Sequence, residues 1–145
     1  MPTRAIDKNL LCLAGEFGVA SNLCLKGYVA SLTLKNYPKV DIFAFNPNNG
    51  KHNAIQVKTK LGGKEYFLPE HISDEDPSFV FVEFANKNSF PKFYIVPAKA
   101  VSKISEKERC DWIDTHPNAK KEQPRMISLN SLSVFIDKWE NLRLD

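Results

Sequence analysis

At 145 residues the chain can close one hydrophobic core but is too short for two ordinary domains, so residues 1–145 are read as a single domain. Hydrophobic residues make up 43% and charged residues 26%, which excludes a disordered or fibrous chain. A net charge of +3 permits a nucleic-acid partner without requiring one.

The first element is a helix predicted over residues 10–26, with Asp7-Lys8-Asn9 as its cap and Gly27 as its stop. On the helical wheel Leu10, Leu13, Phe17, Ala20 and Cys24 form one stripe, predicted to face the core, with Cys12 and Leu23 flanking it. Glu16 falls within the edge of that stripe, an uncommon place for a carboxylate. Gly15, Gly18, Asn22 and Lys26 fall opposite.

Residues 28–34 read as a first strand, rich in β-branched and aromatic side chains. Lys39-Val40-Asp41-Ile42-Phe43-Ala44-Phe45 and Ala54-Ile55-Gln56-Val57-Lys58-Thr59 then flank Asn46-Pro47-Asn48-Asn49-Gly50. Asn-Gly between two apolar runs predicts a β-hairpin. Alternation sends Gln56 and Lys58 to one face and Ile55, Val57 and Thr59 to the other, and puts Asp41 on the face of Phe43 and Phe45.

Residues 64–78 read as a loop with a short strand at 66–68. Strands follow at 79–84 and 93–96. Pro97 opens a short helix over 98–104, and Ser105-Glu106-Lys107-Glu108 predicts a second one to Ile113 by capping-box chemistry. Residues 126–129 read as an edge strand, and Ser131 as the cap of a last helix carrying Leu132, Phe135, Ile136 and Trp139 on one face. The predicted class is α/β: an N-terminal helix, a mixed sheet, then short C-terminal helices.

Several functions are set aside. Three cysteines without a CxxC pair make neither a disulfide framework nor a zinc site and fit a reducing, cytoplasmic setting. No run approaches the roughly twenty apolar residues of a membrane span. No GxxxxGK[ST] or GxGxxG follows a strand, and no serine elbow accompanies His52, His71 or His116. Glu70-His71 reads as a solvated loop dipeptide, with a loop acid–base pair as the alternative.

What remains is a set of polar groups on apolar elements, which must be paired or functional because unpaired burial is costly. Across a hairpin ladder Asp41 and the Gln56–Lys58 stretch can sit about 5 Å apart, and a helix packed on the sheet can bring Glu16 to them. Carboxylate and amide oxygens suit magnesium, and a neighbouring lysine suits a phosphate. The chemistry this describes is hydrolysis of a phosphodiester.

Asp41, the Gln56-Val57-Lys58 stretch after the hairpin, and Glu16 on the preceding helix resemble the PD-(D/E)XK nuclease superfamily and its restriction-endonuclease-like core. Gly15-Glu16-Phe17 with Ala20 and Leu23, then Lys26-Gly27-Tyr28, is similar to the opening helix of small archaeal-type Holliday junction resolvases. Asp41-Ile42 with Ile55-Gln56-Val57-Lys58-Thr59 is similar to a bacterial branch with a Gln-Val-Lys-Thr core. Phe79-Val80-Phe81-Val82, Pro91-Lys92-Phe93-Tyr94-Ile95-Val96-Pro97, Trp112 and Lys138-Trp139 resemble the same branch.

The resemblance implies a magnesium-dependent endonuclease acting on DNA, with manganese able to substitute, and a homodimer. It implies that Asp41, Gln56, the Val57 backbone carbonyl and Glu16 hold the metal, and that Lys58 orients or activates the attacking water. Lys35, Lys39, Lys60, Lys64 and Arg125 are candidate DNA phosphate contacts. Val40 stands where the motif has proline. Gln56 stands where it has an acid, which removes one negative charge and leaves open a catalytically inactive module that binds nucleic acid or a protein partner.

Overall fold

The computed structural model describes residues 4–34, 37–119 and 122–145. Helix α1 covers Lys8–Leu25, and its N-cap Asp7 accepts the Asn9 amide hydrogen at 2.8 Å. Strands β1 (Val29–Leu32), β2 (Ile42–Phe45) and β3 (His52–Leu61) follow, then a short β4 (Glu65–Phe67), β5 (Ser78–Phe84) and β6 (Lys92–Val96). Helix α2 (Ala98–Thr115), strand β7 (Met126–Ser128), helix α3 (Leu129–Leu132) and two 3₁₀ turns, Ser133–Phe135 and Trp139–Leu142, complete the chain.

The main sheet has the order β1-β2-β3-β5-β6, while β4 and β7 pair as a separate ribbon. Every neighbour in the main sheet is antiparallel except β3 and β5, which run parallel from Ile55↔Ser78 to Leu61↔Phe84. The domain is thus α/β with a mixed sheet, as the sequence predicts.

One face of the sheet buries Ile42, Ala44, Ile55, Val80, Val82 and Ile95 against Val19 and Leu23 of α1 and against Trp139, Leu142 and Leu144. The other buries Phe79, Phe81, Tyr94 and Val96 against Val101 of α2, Tyr66, Ile127 and Leu132. Each fully buried large apolar side chain contributes about 1.5–3 kcal/mol. The second layer stops short: on the β1–β2 half of that face Val29, Phe43 and Phe45 are 52%, 46% and 42% exposed.

The structure corrects the predicted core face of α1. Leu10, Phe17 and Cys24 are exposed, and the buried positions are Gly15, Val19 and Leu23, spaced four apart. The reason is close approach, since a Cβ on Gly15 would stand 1.8 Å from Thr59 Oγ1. A helix that presented Phe17 to the sheet could not come so near.

Two other expectations change. The predicted pair of helices over 98–113 is one continuous helix, in which Ser105 is buried, donates back to Ser102 O at 3.2 Å and accepts from Arg125 Nε at 2.9 Å. Satisfied in this way, it has no capping role. The predicted closing helix is instead α3, capped by Ser128, and the separate 3₁₀ turns, because Ile136 bridges to Tyr94 and Asp137 adopts φ 53°. The strand near 126 exists but pairs with β4, outside the main sheet.

The chain's final stretch is tied to the hairpin. Asn46 Nδ2 and Asn49 Nδ2 donate to Leu144 O at 2.7 and 3.0 Å, and Asn53 Nδ2 donates to Leu142 O at 2.8 Å. Tyr28 OH donates to the Asp145 carboxylate at 2.5 Å, and Lys51 Nζ to the Asp145 carbonyl.

Candidate active site

The site is built where β2 stops and β3 continues. β2 pairs with β3 only as far as Ile42↔Ile55, and the Asp41 amide also donates to Ile55 O at 2.9 Å. Two residues thus oppose one, the arrangement of a β-bulge, which takes a side chain out of strict alternation. Asp41 Oδ2 accepts the Val57 N–H at 2.7 Å. Backbone N–H groups point in the plane of a sheet, so the carboxylate lies at the sheet edge rather than on the Phe43–Phe45 face that alternation predicts.

A threonine that sequence reasoning missed holds this corner. Thr33 donates its N–H to Asp41 O at 2.9 Å and its hydroxyl to Val40 O at 2.5 Å. Only pairing between β1 and the segment before β2 reveals it, and no spacing in the sequence carries that signal.

Lys58 is half-buried, and its ammonium makes no ion pair or hydrogen bond among the described residues. Burial lowers its pKa from the ordinary 10.5; the Asp41 carboxylate and then the Cys12 thiol pull it back up. Helix α1 therefore contributes to this environment through Cys12, which the sequence reading placed only beside the helix's apolar stripe. Gln56 is half-buried beside Phe79 of β5. Glu16 is half-buried on α1, one residue after Gly15 and one turn before Val19, on the side that packs on β3.

Asp41, Val57 and Lys58 are therefore brought together, with Gln56 next to them in the strand. Among the described residues no three His, Cys, Asp or Glu side chains lie close enough to hold a metal ion. Gln56 brings an amide oxygen to this stretch rather than a carboxylate. The donor chemistry is still that of a hard cation: a carboxylate, an amide oxygen and the Val57 carbonyl, all oxygen.

The predicted cation contacts divide. Lys35 lies outside the described residues. Lys39 pairs with Asp76 at 3.1 Å; Lys60 Nζ donates to Glu65 O and lies 5.9 Å from the Tyr66 ring centre; Lys64 is exposed. Arg125 is not a surface cation: it is buried, donating to Ser105 Oγ, Glu70 O, Ser102 O and Ser102 Oγ at 2.9–3.2 Å. Its guanidinium joins α2 to the loop before β5. Glu70, read as a solvated residue, forms a two-pronged pair with Arg109 at 2.9 and 3.0 Å, and that bond lowers its pKa.

No family model and no curated protein matches the chain. Among solved structures it is similar to Hjc, a Holliday junction resolvase from Archaeoglobus fulgidus, with a TM-score of 0.45 and 15% identity over 80% of this chain and 89% of that chain. A likeness at that level establishes neither family nor activity; the fold stands on the strand order given above. No helix is long and apolar enough, among the described residues, to cross a membrane.

Proposed function

We propose that this protein is a metal-dependent endonuclease that hydrolyses DNA phosphodiester bonds. The observation that carries the reading is a desolvated Lys58 within the electrostatic reach of Asp41, a carboxylate itself anchored on the Val57 amide at a sheet edge. Perturbed titratable groups of this kind mark functional sites.

Asp41, Gln56 through its amide oxygen and Val57 through its carbonyl are the proposed ligands of Mg²⁺ or Mn²⁺, with Glu16 as a second acid. When bound, such an ion lowers the pKa of a coordinated water and offsets phosphate charge. Lys58 does the protein's share of the proton chemistry. Its lowered pKa lets it release and take up a proton more readily than a surface lysine, so it can orient the attacking water and accept its proton. The Val57 N–H holds Asp41 in one orientation throughout.

A second reading is favoured by Gln56: a module of the same design that binds nucleic acid or a protein partner without cutting. Plasmid and junction DNA incubated with Mg²⁺ or Mn²⁺ separates the two. Cleavage lost in Asp41→Ala supports the nuclease. An inert wild type with an active Gln56→Glu supports the binding module, and cleavage that persists in Asp41→Ala removes this site from the reaction. A cytoplasmic homodimer is the proposed state, which sedimentation of the purified chain tests.

A further inference from the structure

The uncovered half of the sheet adjoins this site. Its rows follow from the register: Val29, Phe45 and His52 lie side by side, and Ser31, Phe43 and Ala54 form the next row. The row after that reaches Thr33, the Asp41 bulge and Gln56. Neither aromatic row contains a carboxylate. Phe43 and Phe45 are 46% and 42% exposed, although β2 holds its alternate residues, Ile42 and Ala44, in the core.

Tyr37, 61% exposed, adds a third ring beside Phe43. With Phe43, Leu32, Thr33 and Leu34 it lines an open cleft of about 410 Å³. The covered half of the same face begins at β5, where Phe79 and Phe81 disappear beneath the second layer. Gln56 and Lys58 stand on β3 at that boundary, beside Phe79 and Phe81 in the ladder. The floor is aromatic, and the step along its side carries the proposed catalytic residues.

We infer that this aromatic floor binds unpaired bases of a DNA single strand and leads it to the Asp41–Lys58 site. The inference rests on the nuclease reading and names the substrate class for it: DNA with an unpaired stretch at or beside the cut. Phe43 and Phe45 are two residues apart on one strand, about 6.8 Å by strand geometry. Stacked bases repeat every 3.4 Å along a strand, so an extended, unstacked strand can lay one base on each ring. Stacking on an aromatic face accepts any base, which suits a surface with few hydrogen-bonding groups. Intact duplex keeps its bases inside and gains nothing from these rings.

The alternative occupant, a second copy of this chain, is an outcome of the test. Binding of labelled oligo(dT) and of a duplex of equal length is measured by fluorescence anisotropy in EDTA, where cleavage is absent. Wild type, Phe43→Ala/Phe45→Ala and Phe43→Leu/Phe45→Leu are compared, the leucine pair keeping apolar bulk and fold while removing ring faces. Single-strand affinity is expected to fall at least about tenfold in both variants, with duplex affinity unchanged.

Equal single-strand affinity in wild type and the leucine pair overturns the inference. So does a wild-type dimer that both variants convert to monomer. If Asp41-dependent cleavage is present while the ring variants bind single strands normally, the inference fails and the nuclease reading stands. Ring-dependent binding without any Asp41-dependent cleavage keeps the surface and removes the nuclease.

Discussion

Asp41 Oδ2 accepts the Val57 amide hydrogen at 2.7 Å, so one carboxylate both finishes the exposed edge of β3 and acts on the Lys58 ammonium. These two duties separate by substitution. Asp41→Ala leaves the Val57 N–H without its acceptor and should cost about 1–3 kcal/mol as well as all cleavage. Asp41→Asn keeps an oxygen for that N–H and removes only the charge. It should unfold close to wild type in urea yet fail to cut. An Asn variant as unstable as the Ala variant would show that the charge, not the hydrogen bond, holds the edge.

Gln56→Glu adds a second negative charge beside Asp41. Two carboxylates repel when no cation is present and bind a hard cation more tightly when one is. The melting temperature in EDTA should therefore drop below wild type, and the rise on adding Mg²⁺ should exceed that of wild type. If the two proteins respond equally to Mg²⁺, position 56 does not face the metal.

Lys58 gives a pH signature. Its pKa lies below the ordinary 10.5 because burial outweighs the help of Asp41 and Cys12. If its neutral amine takes the proton of the attacking water, cleavage should rise with pH and level off below the range of a free lysine. Lys58→Arg, which keeps the charge but cannot lose its proton, should be slower by about 100-fold or more. Full activity in that variant would leave Lys58 only an electrostatic role.

The approach of α1 to the sheet is tested at Gly15. An alanine there must push against Thr59, whose Oγ1 would lie 1.8 Å from the new Cβ, and overpacking of this kind costs about 1–3 kcal/mol. Gly18 meets only the Phe93 ring at 3.3 Å, so Gly18→Ala should cost less. Urea midpoints of the two variants decide it; equal midpoints would mean that α1 can slide.

Tyr28 makes stability fall in alkali. Its hydrogen bond to Asp145, with burial second, raises its pKa from 10.0 to about 12. The folded chain thus holds the phenol proton more tightly than the unfolded chain does. The contribution is whole below pH 10.0 and lost as pH rises to about 12. Thermal melts across that window should show a steeper decline for wild type than for Tyr28→Phe. Parallel declines would exclude this bond as the cause.

The hairpin was legible because its signals are local: alternation on both arms and an Asn-Gly turn, with Gly50 at φ +78°. Asp41, Gln56 and Lys58 were legible for the same reason, as polar groups interrupting apolar strands. The buried face of α1 was not. Its wheel points to Leu10 and Phe17, but packing distance at Thr59 decides the matter, and distance is not written in one helix's pattern. Arg125 reads as an ordinary loop cation because its partners Ser102, Ser105 and Glu70 are far away in sequence. The bulge at Asp41 depends on where β2 meets β3, and so escaped strict alternation.

The ties between the Asn-rich turn and Leu142 and Leu144 reach across the chain, Asn46 to Leu144 spanning 98 positions. During synthesis the turn emerges from the ribosome long before its acceptors exist. The hairpin can form early from its own local pairing, but its asparagine amides stay bonded to water until residues 142–145 arrive. Closing so long a loop is slow and entropically costly, so the final locking of the sheet should wait for residues 142–145 rather than accompany formation of the hairpin.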